Sequence, residues 1–304
     1  MLRTIWALDP FEKQKVTDAV AKCASQWATI TESLEPVYVL SPSEISLHML
    51  ESQEWLPQYE PAAKKALSAI TKKLKLRGLK PAVILRDFKE SLRGTVESLN
   101  EYARKQHADL ILISTHARTG LSRFFIGSFT ETLMTKAATS VLCVNPSAKS
   151  TPIKRILFST DLSTQSIGTF PILLKLSKGL KAQIIIYHCI PMPLEPVLQS
   201  GVYLLGGGWV PFSNYIKTES TGRGEALKRL VDQAAEFGVK TQFILETKKP
   251  GIIDALLKAS VKEKADCIAL AVESSPVEAT LLGSISRQIV RLSSKPVLLL
   301  KNKD

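Results

Sequence analysis

The chain repeats itself once, and the repeat is the length of a whole domain. Residues 108–146 and 265–300 share one order: Ala-Asp, an apolar strand, a loop, Gly-Ser, an amphipathic helix, a short polar turn and a second apolar strand. The starts correspond as well. RTIWALDP (3–10) and RILFSTDL (155–162) are each an apolar strand ending in an aspartate, Asp9 and Asp161. A period this long excludes short solenoid units, and 304 residues divide naturally into two domains. The Pro-, Ser- and Lys-rich stretch NPSAKSTP (145–152) is the expected linker, giving domains at 1–148 and 149–304.

Within each half, strand and helix alternate. Runs such as LILI, IIIY and VLLL are continuously apolar, as in strands covered on both faces. The expected fold is α/β: two similar doubly wound domains, each a five-stranded parallel sheet flanked by helices. The second strand is expected at Val37–Leu40, and one helix of the second half at about Gly222–Phe237. Residues 191–216, PMPLEPVLQSGVYLLGGGWVPFSNYI, break the symmetry. This apolar insertion reads equally as a packed loop or dimer contact, or as a lid over a pocket at the carboxyl edge of the sheet.

The formal charge of +12 narrows the partners. The first 150 residues hold 20 Lys and Arg against 15 Asp and Glu; the remainder holds 20 against 13. A nucleic-acid module more often concentrates its charge, so no specific nucleic-acid partner is expected. The densest run (Lys72, Lys73, Lys75, Arg77, Lys80) reads as a solvated helix end. Cys23, Cys143, Cys189 and Cys267 lie far apart without metal spacing, so they read as buried thiols and no metal site is expected. No apolar run approaches membrane length and the start has no signal-peptide pattern, so the expected compartment is the cytoplasm, with no membrane association.

Ligands of doubly wound sheets bind outside the carboxyl ends of the strands. In the first half, Asp9 ends strand one and Val39 lies near the end of strand two. THARTGLSRFFIGSFT (115–130) runs from a strand through a loop into a helix. Gly127-Ser128 opens that helix, either as a plain cap or as a phosphate cradle of free amides. Arg118 and Arg123 are surface charges or further phosphate contacts. His116 has no acid or nucleophile beside it and reads as structural. No catalytic residue and no Walker-type lysine motif is evident, which argues against an enzyme.

At these residues the chain resembles the universal stress protein family. That family's motif is Gly, two residues, Gly, nine residues, then Gly-Ser or Gly-Thr. STHARTGLSRFFIGS (114–128) has its length, with Ser114 and Ala117 at the two glycine positions and nine residues before Gly127-Ser128. YHCIP (187–191) is similar to the family's second-strand ending, His-Val-Ile. The resemblance covers both halves and implies an adenine nucleotide alpha hydrolase-like fold and a non-catalytic, stress-response role. It also implies that Asp9 and Val39 hold adenine, while Ser114, Ala117, Gly127, Ser128, Phe129 and Thr130 hold ribose and phosphates of ATP or another adenine nucleotide. In the second half Asp161, Gly283 and Ser284 remain, but AVESSPVEATLLGS (271–284) brings Glu273, Pro276 and Glu278 where phosphate would sit. Nucleotide is therefore expected in the first domain and not in the second. The alternative is a scaffold, or a binder of a hydrophobic small ligand. In this family the last strand commonly pairs across a dimer, so VLCV (141–144) and VLLL (297–300) are expected to pair within the chain as an internal pseudo-dimer, with a homodimer as a further option.

Overall fold

A computed structural model describes residues 1–41, 55–88, 91–115, 128–148, 151–190, 201–203, 209–247, 251–272 and 283–302. The first half contributes β1 (Leu2–Ala7), α1 (Gln14–Gln26), β2 (Thr31–Leu40), α2 (Trp55–Lys73), β3 (Val83–Arg86), α3 (Leu92–Lys105), β4 (Leu110–Ser114), α4 (Ser128–Lys136) and β5 (Ser140–Val144). The second contributes β6 (Arg155–Ser159), α5 (Thr164–Leu180), β7 (Gln183–Cys189), β8 (Gly201–Tyr203), β9 (Trp209–Pro211), α6 (Phe212–Glu236), β10 (Thr241–Glu246), α7 (Ile252–Lys262), β11 (Cys267–Ala271), α8 (Ser284–Leu292) and β12 (Val297–Leu300). The alternating α/β order is the one expected.

The chain forms two compact units: Met1–Ile153 together with Val272–Asp304, and Lys154–Ala271. In the first, the sheet order is β12-β5-β4-β1-β2-β3. The five strands of the first half are parallel to one another, in the doubly wound order. β12 joins them from the far end of the sequence and runs antiparallel to β5, Val297 opposite Cys143 and Leu299 opposite Val141. The two segments expected to pair do pair, and the last strand of the second half packs with the first unit. In the second unit the order is β10-β7-β6-β11, all parallel, and β8 and β9 form a separate antiparallel pair.

The sheets bury what the apolar runs promised. Every residue of β4, β5 and β12 is buried. Between strands, small polar devices close the helices. Ser91 accepts from the Gly94 amide and Ser163 from the Ser166 amide, each capping its helix start. Asn100, fully buried on α3, donates to the Lys136 carbonyl and accepts from the Ala138 amide, which fixes the end of α4. Lys301 follows β12 and is also buried. Its Nζ donates to the Ala137 carbonyl at 2.8 Å and the Thr135 carbonyl at 3.3 Å, a cation on the carbonyl end of α4. Gly78 has a φ of +70°, and a Cβ there would stand 2.6 Å from the Glu32 carbonyl oxygen, so the turn into β3 requires glycine.

Three expectations change in detail. β2 starts at Thr31 rather than Val37. Glu32, Glu35 and Pro36 interrupt its apolar pattern, yet Glu35 accepts from the Tyr102 hydroxyl, and Pro36 precedes the stretch that β3 pairs with. α6 starts at Phe212 rather than Gly222, so residues 212–216 of the apolar insertion are helical. Gly222 and Gly224 weaken the sequence signal there, and a Cβ at either would meet nothing within 4 Å. Cys189 is half-buried, whereas Cys23, Cys143 and Cys267 are buried; burial pushes the Cys23 thiol up to about 12. The run Lys72, Lys73, Lys75, Arg77 and Lys80 is exposed, with Lys72 and Lys73 in the last turn of α2.

Candidate functional site

In the first unit, the parallel strands bring the residues after β1, β2 and β4 to one edge of the sheet. Asp9 follows β1. Its Oδ1 accepts from the Phe11 amide at 2.9 Å, an Asx turn that fixes the carboxylate's direction. Val39 is buried near the end of β2, and Phe11 meets Tyr38 edge-on with ring centres 6.2 Å apart. Ser114, at the end of β4, is buried, and its hydroxyl donates to a Glu12 carboxylate oxygen at 2.9 Å. The buried Thr130 hydroxyl donates to the Ser114 carbonyl at 2.9 Å. The first turn of α4 is thereby tied to the end of β4.

Of the residues expected in this site, Asp9, Val39, Ser114, Ser128, Phe129 and Thr130 are described. Ser128 begins α4 and is exposed, and its carbonyl accepts from the Thr132 hydroxyl. Ala117 and Gly127, with His116, Arg118 and Arg123, lie outside the described residues. Sequence reasoning missed Glu12. It lies on the turn after β1, and only the fold carries its side chain to the Ser114 hydroxyl. Glu12 is thus a second carboxylate, after Asp9, in the segment that follows β1.

In the second unit the corresponding edge is built from β6 and β7. Asp161 follows β6, and its Oδ1 accepts from both the amide and the hydroxyl of Ser163 at 2.9 and 2.7 Å. The Asp161 carbonyl accepts from Arg223 on α6 at 3.3 Å, and Arg223 also pairs with Glu219 at 3.0 Å. The buried Thr160 hydroxyl shares a hydrogen bond of 2.8 Å with Ser166, and the Thr160 carbonyl accepts from Nδ1 of His188 at 2.8 Å. Gly283 and Ser284 belong to the first unit, where Gly283 precedes α8. Glu273, Pro276 and Glu278 lie outside the described residues, as do 191–200 and 204–208 of the insertion.

The register makes the two edges comparable position by position. The Leu8 amide donates to the Val37 carbonyl, and the Thr160 amide to the Tyr187 carbonyl. Counting on from these bonds, Tyr38 stands where His188 does, and Val39 where Cys189 does.

Burial holds the His188 ring below its ordinary value of 6.5; Arg223 acts in the same direction, against the Thr160 carbonyl and the carboxylates of Asp161 and Glu219. The native ring is thus neutral at a pH where the unfolded chain begins to bind a proton. Its folded value is depressed, so stability falls as pH drops below about 6.5. Thermal unfolding followed across that window is expected to show the midpoint falling with pH, and less steeply in His188→Gln. Equal slopes would remove His188 as the cause.

Among the described residues no group of three or more His, Cys, Asp or Glu side chains could hold a metal ion, and no helix is long and apolar enough to cross a membrane.

Comparison with known proteins places this architecture. The model of the universal stress protein family matches residues 11–145 and again 152–301. A universal stress protein of Methanocaldococcus jannaschii is 26% identical over 149 residues, which is 49% of this chain and 82% of that protein. The crystal structure of a universal stress protein from Archaeoglobus fulgidus superposes with a TM-score of 0.64 at 14% identity, covering 99% of this chain and 98% of that one. A putative universal stress protein from Pseudomonas aeruginosa gives 0.59 at 15% identity, covering 100% and 94%. At these identities the solved structures speak for the fold, and the two family matches, together spanning nearly the whole sequence, speak for descent: the chain belongs to the universal stress protein family.

Proposed function

We propose that the chain is a non-catalytic, stress-response regulatory protein whose first half binds an adenine nucleotide at the carboxyl edge of its sheet. The observation that carries this is the bond from Thr130 to the Ser114 carbonyl. It ties the end of β4 to the start of α4, with Asp9 just after the neighbouring β1 and Val39 near the end of β2 beyond it. Asp9 accepts from the base or a ribose hydroxyl, Val39 walls the adenine, and Ser128 and Phe129 at the start of α4 take the sugar and phosphates, while Thr130 holds that helix start to the end of β4. Ser114 departs from the family's glycine. Its hydroxyl is turned to Glu12, so the side chain is drawn aside while a carboxylate is brought near. That charge favours nucleotides with fewer phosphates over the triphosphate. The second half lacks the corresponding loop chemistry and does not share this ligand.

The test is mass spectrometry of small molecules released from the natively purified protein, followed by calorimetric titration with AMP, ADP and ATP. The expected result is an adenine nucleotide at no more than one equivalent per chain, with AMP or ADP binding more tightly than ATP. Absence of nucleotide in the purified protein, together with no heat of binding for all three, would falsify the assignment.

A further inference from the structure

His188 is buried to 3% exposure at the end of β7. Its Nδ1 faces the Thr160 carbonyl at 2.8 Å. A carbonyl only accepts, so Nδ1 carries the proton and Nε2 presents a lone pair. Nε2 has no hydrogen-bond partner among the described residues. A buried acceptor left without a donor is costly, and natural proteins meet such a cost with a water or a ligand.

The position selects a ligand. In the second unit the chain leaves β6 for β7 and β10 on one side, then returns to β11 on the other side of β6. The strand order therefore reverses beside β6, the place where doubly wound sheets take their ligands. Thr160 and Asp161 end that strand, and His188 rests on Thr160. At the equivalent position of the first unit stands Tyr38, whose ring packs on Phe11. One edge thus closes this position with aromatic contacts, and the other keeps a polar acceptor there.

The charges select further. Arg223 is paired with Glu219 and with the Asp161 carbonyl, while Asp161 accepts twice from Ser163. Among the described residues, two carboxylates and one guanidinium act on the His188 ring, a net negative set. A lone pair in net negative surroundings repels phosphate and carboxylate oxygens and welcomes a hydroxyl hydrogen. We propose that the edge of the second unit at His188, Thr160 and Asp161 binds an uncharged, hydroxyl-bearing small molecule of the polyol or sugar class, one hydroxyl of which donates to Nε2 of His188.

The full-length protein, labelled with nitrogen-15 in histidine, is titrated with D-ribose, with glycerol and with inorganic phosphate while the Nε2 resonance of His188 is followed. The expected result is a saturable shift with D-ribose or glycerol and none with phosphate. His188→Gln, followed by calorimetry with the sugar or polyol that shifts the resonance, is expected to bind it about tenfold more weakly. Because that substitution touches the β6–β7 contact, the wild-type resonance is the deciding readout. A shift with phosphate alone overturns the proposal. So does an Nε2 resonance indifferent to all three probes, which would mean that a structural water satisfies the ring. The readout is a single side chain of the second unit, so its failure leaves the nucleotide assignment in the first half untouched, and the reverse.

Discussion

Removal of residues 297–304 is expected to unfold the first unit rather than trim it. The deleted stretch contains Val297, Leu298, Leu299 and Leu300, each at most 1% exposed. Burying an aliphatic side chain of this size contributes about 1.5 to 3 kcal/mol, so the four together contribute roughly 6 to 12 kcal/mol. That is comparable with the whole stability of an ordinary domain, about 5 to 15 kcal/mol. The same deletion frees the edge of β5, an exposed apolar strand that invites aggregation. It also takes away Lys301, leaving the Thr135 and Ala137 carbonyls without the cation that closes α4. Differential scanning calorimetry with limited proteolysis reads the outcome: loss of the cooperative transition assigned to residues 1–153, and cleavage within them. The point variant Leu298→Asp places a charge in the fully buried strand and is expected to act in the same direction. A truncated chain that retains the wild-type transition of the first unit would show that β12 is dispensable there.

The consequence was only half legible in the sequence. The repeat, the strand-end aspartates and the two Gly-Ser pairs gave the tandem architecture, because a period of one domain constrains the whole chain at once. The resemblance pointed to pairing of 141–144 with 297–300, and that pairing is present. What the linear pattern could not show is that the last strand shares its unit with the first half, since each half carries a complete set of strand signals of its own. Lys301 illustrates the limit. In the sequence it is one cation in a polar tail, and only the end of α4 beneath it makes it a cap. β2 and α6 run longer than the sequence pattern suggests for a similar reason: Pro36 and Gly222 are local breakers whose cost the rest of each element absorbs.

At the first-unit edge the sequence names the motif residues, but not Glu12, which bonds the Ser114 hydroxyl. In the sequence Ser114 is a departure from the family's glycine, and its hydroxyl bond to Glu12, 102 positions away, is visible only in the fold. At the second-unit edge, His188 stands in view within YHCIP, but its tautomer depends on the Thr160 carbonyl and its charge on Arg223, Asp161 and Glu219. A strand pattern does not encode these.

Glu12→Gln is expected to tighten binding of ATP about tenfold more than that of AMP. ATP carries about two more negative charges than AMP, and a carboxylate about 8 Å from a phosphate charge, at an effective dielectric of about 60, opposes each by roughly 0.7 kcal/mol, so the two together come to roughly 1.4 kcal/mol. The amide keeps the shape and still accepts from the Ser114 hydroxyl, so the change isolates charge from packing. The gain should shrink as salt is raised, since the edge is open to solvent. Asp9→Ala should act oppositely. It removes the acceptor for the base or ribose, a charge-assisted bond worth about 1.5 to 3 kcal/mol, and so weakens every adenine nucleotide by about ten- to a hundredfold, whatever its phosphate count. Ser114→Gly separates the remaining possibility. If the side chain itself obstructed the phosphates, this variant would gain affinity while Glu12→Gln would not. Since the hydroxyl is already drawn toward Glu12, the charge is expected to decide, and Ser114→Gly should leave ATP affinity within a factor of about three. Calorimetric titration of the three variants with AMP and ATP at two salt concentrations gives all of these comparisons. An unchanged ATP affinity in Glu12→Gln, with Asp9→Ala behaving as stated, would keep the nucleotide site and remove Glu12 from it.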